Sequence, residues 1–168
     1  ITPADLESGY DIYCCIPKYK LDEWKALLGM MCNQFLKSFE RRAEGNTTPI
    51  LFLIDEVPRL EKIEAISNGL ATLHSKKIHI SLIVQSKSQL NAIYGKDVAE
   101  VIADNCSYKV ILKASEPTTQ EWCSKLVGTY VKPEEFAYLQ DVVCVFPNGY
   151  KRLQKANYYE DSTFTSKL

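Results

Sequence analysis

The stretch Pro49-Ile50-Leu51-Phe52-Leu53-Ile54-Asp55-Glu56 limits the fold more than any other in the chain. Five consecutive apolar residues, mostly β-favouring, run directly into two adjacent carboxylates. A short unbroken apolar run of this kind fits a strand buried on both faces, as in a parallel sheet covered by helices. Open α/β sheets bind ligands at the carboxyl ends of their strands, and Asp55 and Glu56 stand at that end. The pair suits phosphoryl transfer, where one carboxylate holds Mg²⁺ through water and the next orients the attacking water. It suits equally a core strand that ends in an acidic surface turn. The stretch alone leaves both readings open.

The residues after this strand sharpen the first reading. Ile63, Ile66, Leu70 and Leu73 recur at helical spacing and predict an amphipathic helix, ended by His74-Ser75-Lys76-Lys77. Ile80-Ser81-Leu82-Ile83-Val84 reads as a second apolar strand running into Gln85-Ser86. Strand, helix and strand within about 35 residues make a right-handed βαβ unit, the usual link between parallel neighbours. Asp55, Glu56 and Gln85 then leave the sheet at one edge. Their side chains are expected to converge within roughly 10 Å on one solvent-reachable hollow, with neither carboxylate saturated by internal partners.

The remaining segments complete an α/β pattern. Residues 11–16 read as a short strand stopped by Pro17. An amphipathic helix comes next, with Leu21, Trp24, Leu28, Met31 and Phe35 on its core face. Lys37, Arg41 and Arg42 suit its negative end, and Gly45-Asn46 closes it. Beyond Gln85, short helices are expected near 88–93 and 97–104, a strand over 108–112, and a helix from Pro117 through Leu126. Residues 142–146 and 150 onward form a hairpin whose Asn148-Gly149 favours a primed turn. No linker divides residues 1–160, and the polar tail 161–168 is expected to be disordered.

Composition excludes several classes. The 20 basic and 21 acidic residues balance, so net charge gives no sign of a nucleic-acid or membrane surface. No apolar run approaches a membrane span and no signal peptide opens the chain, so the chain is expected to be soluble. None of the six cysteines forms a CxxC pair, and neither His74 nor His79 stands near one, which argues against zinc. Their apolar settings suit reduced thiols in a cytosol. The opening Ile1-Thr2-Pro3 has no initiator Met, so a piece of a longer protein is expected. The seven glycines include no GxxxxGK[ST], so the backbone cradle that would hold phosphates is absent from this sequence.

The segment Leu51-Phe52-Leu53-Ile54-Asp55-Glu56-Val57-Pro58-Arg59-Leu60 resembles the Walker B region of type IV secretion coupling proteins, the TraG/TraD-type conjugative ATPases. The likeness continues through Gly69-Leu70-Ala71-Thr72-Leu73, Ile83-Val84-Gln85-Ser86-Lys87-Ser88-Gln89-Leu90, Ile93-Tyr94-Gly95, Asp104-Asn105-Cys106 and Tyr158-Tyr159-Glu160-Asp161. Ile12-Tyr13-Cys14-Cys15-Ile16-Pro17 fits the family's preceding strand. The resemblance implies a RecA-like three-layer sandwich, related to the FtsK and HerA translocases, with a mainly parallel sheet. It also implies that the Walker A strand is missing here, which leaves the C-terminal part of a motor domain and then the hairpin. The parents are membrane-anchored homo-hexamers at the cytoplasmic face of the inner membrane. They link relaxase-bound DNA to the secretion channel and hydrolyse ATP.

By motif position the resemblance assigns Asp55 to Mg²⁺, Glu56 to the catalytic water and Gln85 to sensing the γ-phosphate of ATP. Several relatives carry an arginine between these two strands that reaches a neighbouring subunit's nucleotide. This chain has His74-Ser75-Lys76-Lys77 there, so such a finger would be a lysine or lie elsewhere, with Arg59 a further candidate. The alternative function is a docking module that recruits relaxase or accessory proteins without catalysis. Alone, the chain is expected to be inactive and to bind ATP and Mg²⁺ weakly. A sheet missing one strand is expected to close up or to self-associate.

Overall fold

Two parallel strands and the helix between them form the frame that carries the acidic pair. In the computed structural model, which describes residues 1–45, 48–157 and 159–160, β1 is Ile50–Ile54 and β2 is Ile78–Leu82. They pair in parallel with Ile50 opposite Ile78 and Ile54 opposite Leu82. The ladder runs one residue further, because Ile83 N donates to Ile54 O at 2.9 Å and Val57 N to Ile83 O at 3.1 Å. The second strand therefore begins two residues earlier than the apolar run suggests. The helix α3, Ala65–Thr72, joins the two strands and ends in a 3₁₀ turn, Leu73–Lys76. It lies close on β2 at Gly69, where an added Cβ would stand 3.2 Å from Ile80 Cδ1.

The chain's contacts divide it into two units, Ile1–Cys106 and Ser107–Leu168. In the first, α1 (Pro3–Glu7), α2 (Leu21–Phe39), α4 (Lys87–Tyr94) and α5 (Lys96–Asn105) accompany the parallel pair. Its core joins Leu36 and Phe39 of α2 to Ile50 and Ile54 of β1, Ile66 of α3 and Ile102 of α5. On α2 the buried Leu36 and Phe39 are joined by Leu21, Leu28, Cys32 and Phe35 packed against the same core, at helical spacing. Trp24 therefore lies at the rim, 45 % exposed, and not in the core as its spacing suggests.

Two expectations fail in this unit. Residues 11–16 are not a strand: they have no regular structure, Tyr13, Cys14 and Cys15 are exposed, and no strand among the described residues supplies the ladder that extended backbone needs. β1 is also not buried on both faces. Ile50 and Ile54 are buried, whereas Leu51 and Leu53 are 64 % and 58 % exposed. No helix of the described residues covers that side, and among them no third strand pairs with β1 or β2.

The amino ends of both strands share one anchor. Arg42, nearly buried, donates to the carbonyls of Thr48 and Lys76, just ahead of β1 and β2, and pairs with Glu7 at 2.8 Å. Gly45 (φ 95°) comes shortly after; Asn46, expected to help close α2, lies outside the described residues.

The second unit holds β3 (Lys109–Ile111), α6 (Pro117–Leu126), β4 (Val142–Phe146) and β5 (Gly149–Leu153). The strands form an antiparallel sheet in the order β3-β4-β5. Phe136 and Val143, both fully buried, centre its core with Ile111, Cys123 and Val127. The hairpin pairs Phe146 with Gly149, so the turn residues are Pro147 and Asn148, not Asn148-Gly149. Proline holds φ negative at the first central position and excludes a primed turn; Gly149 takes the positive φ, 137°. The α/β class holds, with one parallel pair and one antiparallel sheet. The tail 161–168 and Tyr158 lie outside the described residues.

Candidate functional site

The parallel register brings Glu56 and Gln85 together. Gln85 Nε2 donates to Glu56 Oε1 at 3.2 Å, across the carboxyl edge of β1 and β2. Gln85 leads into Ser86, the N-cap of α4, whose hydroxyl accepts from Gln89 N at 3.2 Å. Gln89 Nε2 reaches Gln85 Oε1 at 3.5 Å. Together with Pro58, Arg59, Ala92 and Ile93, these residues line a hollow of about 240 Å³.

Glu56 sits in the left-handed region, with φ 48° and ψ 46°. A non-glycine residue there is strained by of order 1–3 kcal/mol. The cause is local. Val57 must enter the core, where it is fully buried and bonded to Ile83 O, and Pro58 then fixes the start of a 3₁₀ turn, Val57–Arg59. The chain has two residues, Asp55 and Glu56, in which to turn from strand to core, and Glu56 takes the left-handed step. Burying a valine yields about 1.5–3 kcal/mol, enough to hold the strain in place.

The 3₁₀ turn brings Arg59 beside Glu56. Residues three apart eclipse in such a turn, and Arg59 N donates to Glu56 O at 2.8 Å. Arg59 Nε contacts Glu56 Oε2 at 2.7 Å, with both side chains about two-fifths exposed. A pair this wet contributes about 0.2–1 kcal/mol, too little to offset the backbone strain. Each oxygen of Glu56 thus has one partner within the chain, which leaves further acceptor capacity on both. Arg59, still partly exposed, is paired within its own chain.

Asp55 is exposed and stands beside this hollow, not in its lining. Its Oδ1 accepts from Glu56 N at 2.8 Å, while Oδ2 has no partner among the described residues. A single hard oxygen with water access fits Mg²⁺, which keeps several waters and shares its remaining positions with phosphate oxygens. Among the described residues no group of three or more His, Cys, Asp or Glu forms a metal cage.

Lys76 and Lys87 are tied up within the chain, and neither lines the hollow. Lys76 Nζ donates to the carbonyls of Glu40 and Arg42, at 2.7 Å each. Lys87 is buried, donating to Ala99 O at 3.0 Å and pairing with Glu100 at 2.9 Å, which ties α4 to α5. Lys77 takes the left-handed turn into β2. The cysteines are all free, but only Cys123 is buried, and Cys14 and Cys15 are exposed. Burial pushes the Cys32 and Cys123 thiols up to about 11, which makes both poor nucleophiles.

A model of the family described as the TraM recognition site of TraD and TraG matches residues 49–136, just over half of the chain. The chain belongs to this conjugative coupling-protein family. Protein VirD4 of Agrobacterium fabrum is 27 % identical over 132 residues, 77 % of this chain and 20 % of that protein. Protein VirD4 of Rhizobium radiobacter is 24 % identical, covering 90 % and 27 %. The plasmid coupling protein TrwB, in complex with ADP and Mg²⁺, superposes with a TM-score of 0.82 at 19 % identity, over 90 % of this chain and 42 % of TrwB. Its unbound monoclinic form gives 0.85 at 18 % identity. These likenesses establish the coupling-protein fold. The chain spans about a fifth to a quarter of the VirD4 relatives' length. Among the described residues no helix is long and apolar enough to cross a membrane.

Proposed function

We propose that this chain supplies one wall of the ATP site in a conjugative coupling protein, the DNA-translocating motor that links relaxase-bound DNA to a type IV secretion channel. The observation that carries this reading is the meeting of Glu56 with Gln85 across two parallel strand ends, with Glu56 on strained backbone. Strain of this kind collects at functional sites because surrounding structure must maintain it. Glu56 would orient the attacking water, Gln85 would sense the γ-phosphate, and Asp55 would hold Mg²⁺ through water. The bound Mg²⁺–ATP supplies the phosphoryl group and the charge that neutralises its oxygens. Structures of TrwB with ADP and Mg²⁺ and with a non-hydrolysable ATP analogue support that choice of ligand.

The setting comes from the family. The parent is a homo-hexamer at the cytoplasmic face of the inner membrane, anchored by a region outside this sequence, and residues 1–160 form the C-terminal part of its motor domain. The chain itself is soluble. In the longer protein, Glu56→Gln leaves ATP binding nearly unchanged and abolishes hydrolysis and DNA transfer. Wild-type transfer by that variant would reduce Glu56 to a surface carboxylate. The 168-residue chain alone shows no ATP turnover above buffer, since its sequence has no phosphate cradle.

The family's description favours a second role for the same region, recognition of TraM or another accessory protein. Calorimetric titration of the chain with such a protein separates the two. Binding that is unaffected by Glu56→Gln is docking, and it can coexist with the motor role.

A further inference from the structure

The proposed function leaves Arg59 without a task, yet Arg59 is the strongest partner Glu56 has. The two holders of that carboxylate differ in kind. Arg59 is a charged donor at 2.7 Å from Oε2. Its backbone is fixed by the fully buried Val57, by the ring of Pro58 and by the bond from Arg59 N to Glu56 O. Gln85 is a neutral donor at 3.2 Å from Oε1, on exposed irregular backbone between β2 and α4. Its own carbonyl oxygen meets Gln89 Nε2 only at 3.5 Å, so little resists its turning. Charge-assisted bonds are shorter and stronger than neutral ones. One oxygen of Glu56 is therefore anchored and the other is held releasably.

We propose that Arg59 is the positioning residue for Glu56: it fixes Oε2 within the same chain, so that when Gln85 turns away, Oε1 alone faces the hollow. The last torsion of a glutamate is otherwise broad, and an unheld carboxylate presents either oxygen over a wide arc. Arg59 narrows that arc to one oxygen in one place, which is what orienting a water requires. Gln85 in turn covers Oε1 until it has another partner, so the same glutamine that senses a phosphate also uncovers the carboxylate. The inference rests on the reading of Glu56 as the water-orienting group. It places Arg59 in cis rather than as a finger toward a neighbouring subunit.

The first test uses the 168-residue chain and no nucleotide. The Gln85 side-chain amide is followed in ¹H–¹⁵N spectra and assigned by its loss in Gln85→Ala. In Arg59→Ala this signal moves to the position it takes in Glu56→Ala, because an unanchored Glu56 no longer holds Gln85. In Arg59→Lys it stays near wild type. An unmoved signal in Arg59→Ala overturns the proposal.

The second test uses ATP hydrolysis by the longer protein. Arg59→Ala lowers kcat about a hundredfold, as small misplacements of reacting groups do, while the KM for ATP is unchanged and Arg59→Lys recovers part of the loss. Wild-type kcat in Arg59→Ala overturns it, as does a rise in KM at unchanged kcat. Equal losses in Ala and Lys variants, with a matching fall in Tm, assign Arg59 a purely structural role and overturn it too. A wild-type rate in Glu56→Gln removes the functional reading underneath, and the amide signal then decides the geometry of Arg59 by itself.

Discussion

Two acid–arginine pairs, one in each unit, make an instructive contrast. In the second unit Arg152 grips Asp141 with both Nε and Nη2 and has Glu135 Oε2 3.8 Å from Nη1. The side-chain hydrogen bonds from Arg152 hold the Asp141 carboxyl below its usual range. Both residues stand on ordinary backbone beside a hollow of about 610 Å³, larger than the one at Glu56. The Glu56–Arg59 pair has a single contact, and its acid sits in a strained conformation and is shared with a glutamine just beyond the neighbouring strand. Bond strength and cavity size both point to Asp141. Convergence from separate strands, together with backbone strain, points to Glu56. A two-bonded, self-contained pair has its acceptors occupied, whereas a shared and strained one remains available for chemistry.

The contrast breaks most sharply in hydrolysis by the longer protein. Glu56→Gln removes the group proposed to orient the water and lowers the rate by at least about 10²–10⁴-fold, while Asp141→Asn leaves the rate at the wild-type level. If Asp141→Asn is as damaging as Glu56→Gln, the comparison has been drawn the wrong way round. Two valines sharpen it next. Val57 and Val143 are both fully buried, so Val57→Ala and Val143→Ala each cost about 2–3 kcal/mol in denaturant unfolding. Only Val57→Ala shifts the Gln85 amide signal, because only Val57 seats the strained turn.

Glycine substitution reverses the sign between the two acids. Glu56→Gly relieves the left-handed strain and raises stability by about 1 kcal/mol, at the expense of the site. Asp141→Gly lowers stability, since Asp141 carries no positive φ to relieve and loses its pair. Thermal unfolding of the two variants at neutral pH reads both signs. The smallest effect concerns acid. The folded Asp141 carboxyl lies below its unfolded value, so its contribution is present above the unfolded pKa and fades as pH falls through the lower, folded one. Asp141→Asn flattens that acid limb of the Tm profile slightly, because a wet pair contributes little.

Much of the frame was legible because it derives from period and sign. An apolar run ending in Asp55-Glu56, a helical pattern of Ile63, Ile66, Leu70 and Leu73, and a second run ending at Gln85 permit few arrangements other than a parallel crossover, although the helix itself begins at Ala65 and Ile63 packs into the core ahead of it. The edge shared by Glu56 and Gln85 is a consequence of that crossover. Arg59 was visible, but its role was not: the step that turns it onto Glu56 is a three-residue 3₁₀ turn, and Pro58 signals a turn without naming its pitch. The left-handed Glu56 carries no mark in the sequence either, since it results from Val57 reaching the core. Residues 11–16 and the open face of β1 failed for a common reason. Pattern reports which residues prefer burial, and whether a neighbour is present to bury them lies outside any local window.

Arg42 has one more implication. Its guanidinium pins the carbonyls of Thr48 and Lys76, at the amino ends of β1 and β2, and Ile50 N is bonded to Lys77 O beside it. The parallel pair is thus a zipper stitched shut at one end. A ladder pinned this way frays from the other end, and the lowest-energy openings are the local ones. The end without a buried cation is where Ile54, Glu56 and Gln85 lie, held by the bonds from Ile83 N to Ile54 O and from Val57 N to Ile83 O. Amide exchange should therefore quicken from Ile50 toward Ile83, and thermal breathing of this unit is directed at its candidate site while the rest of the pair stays closed.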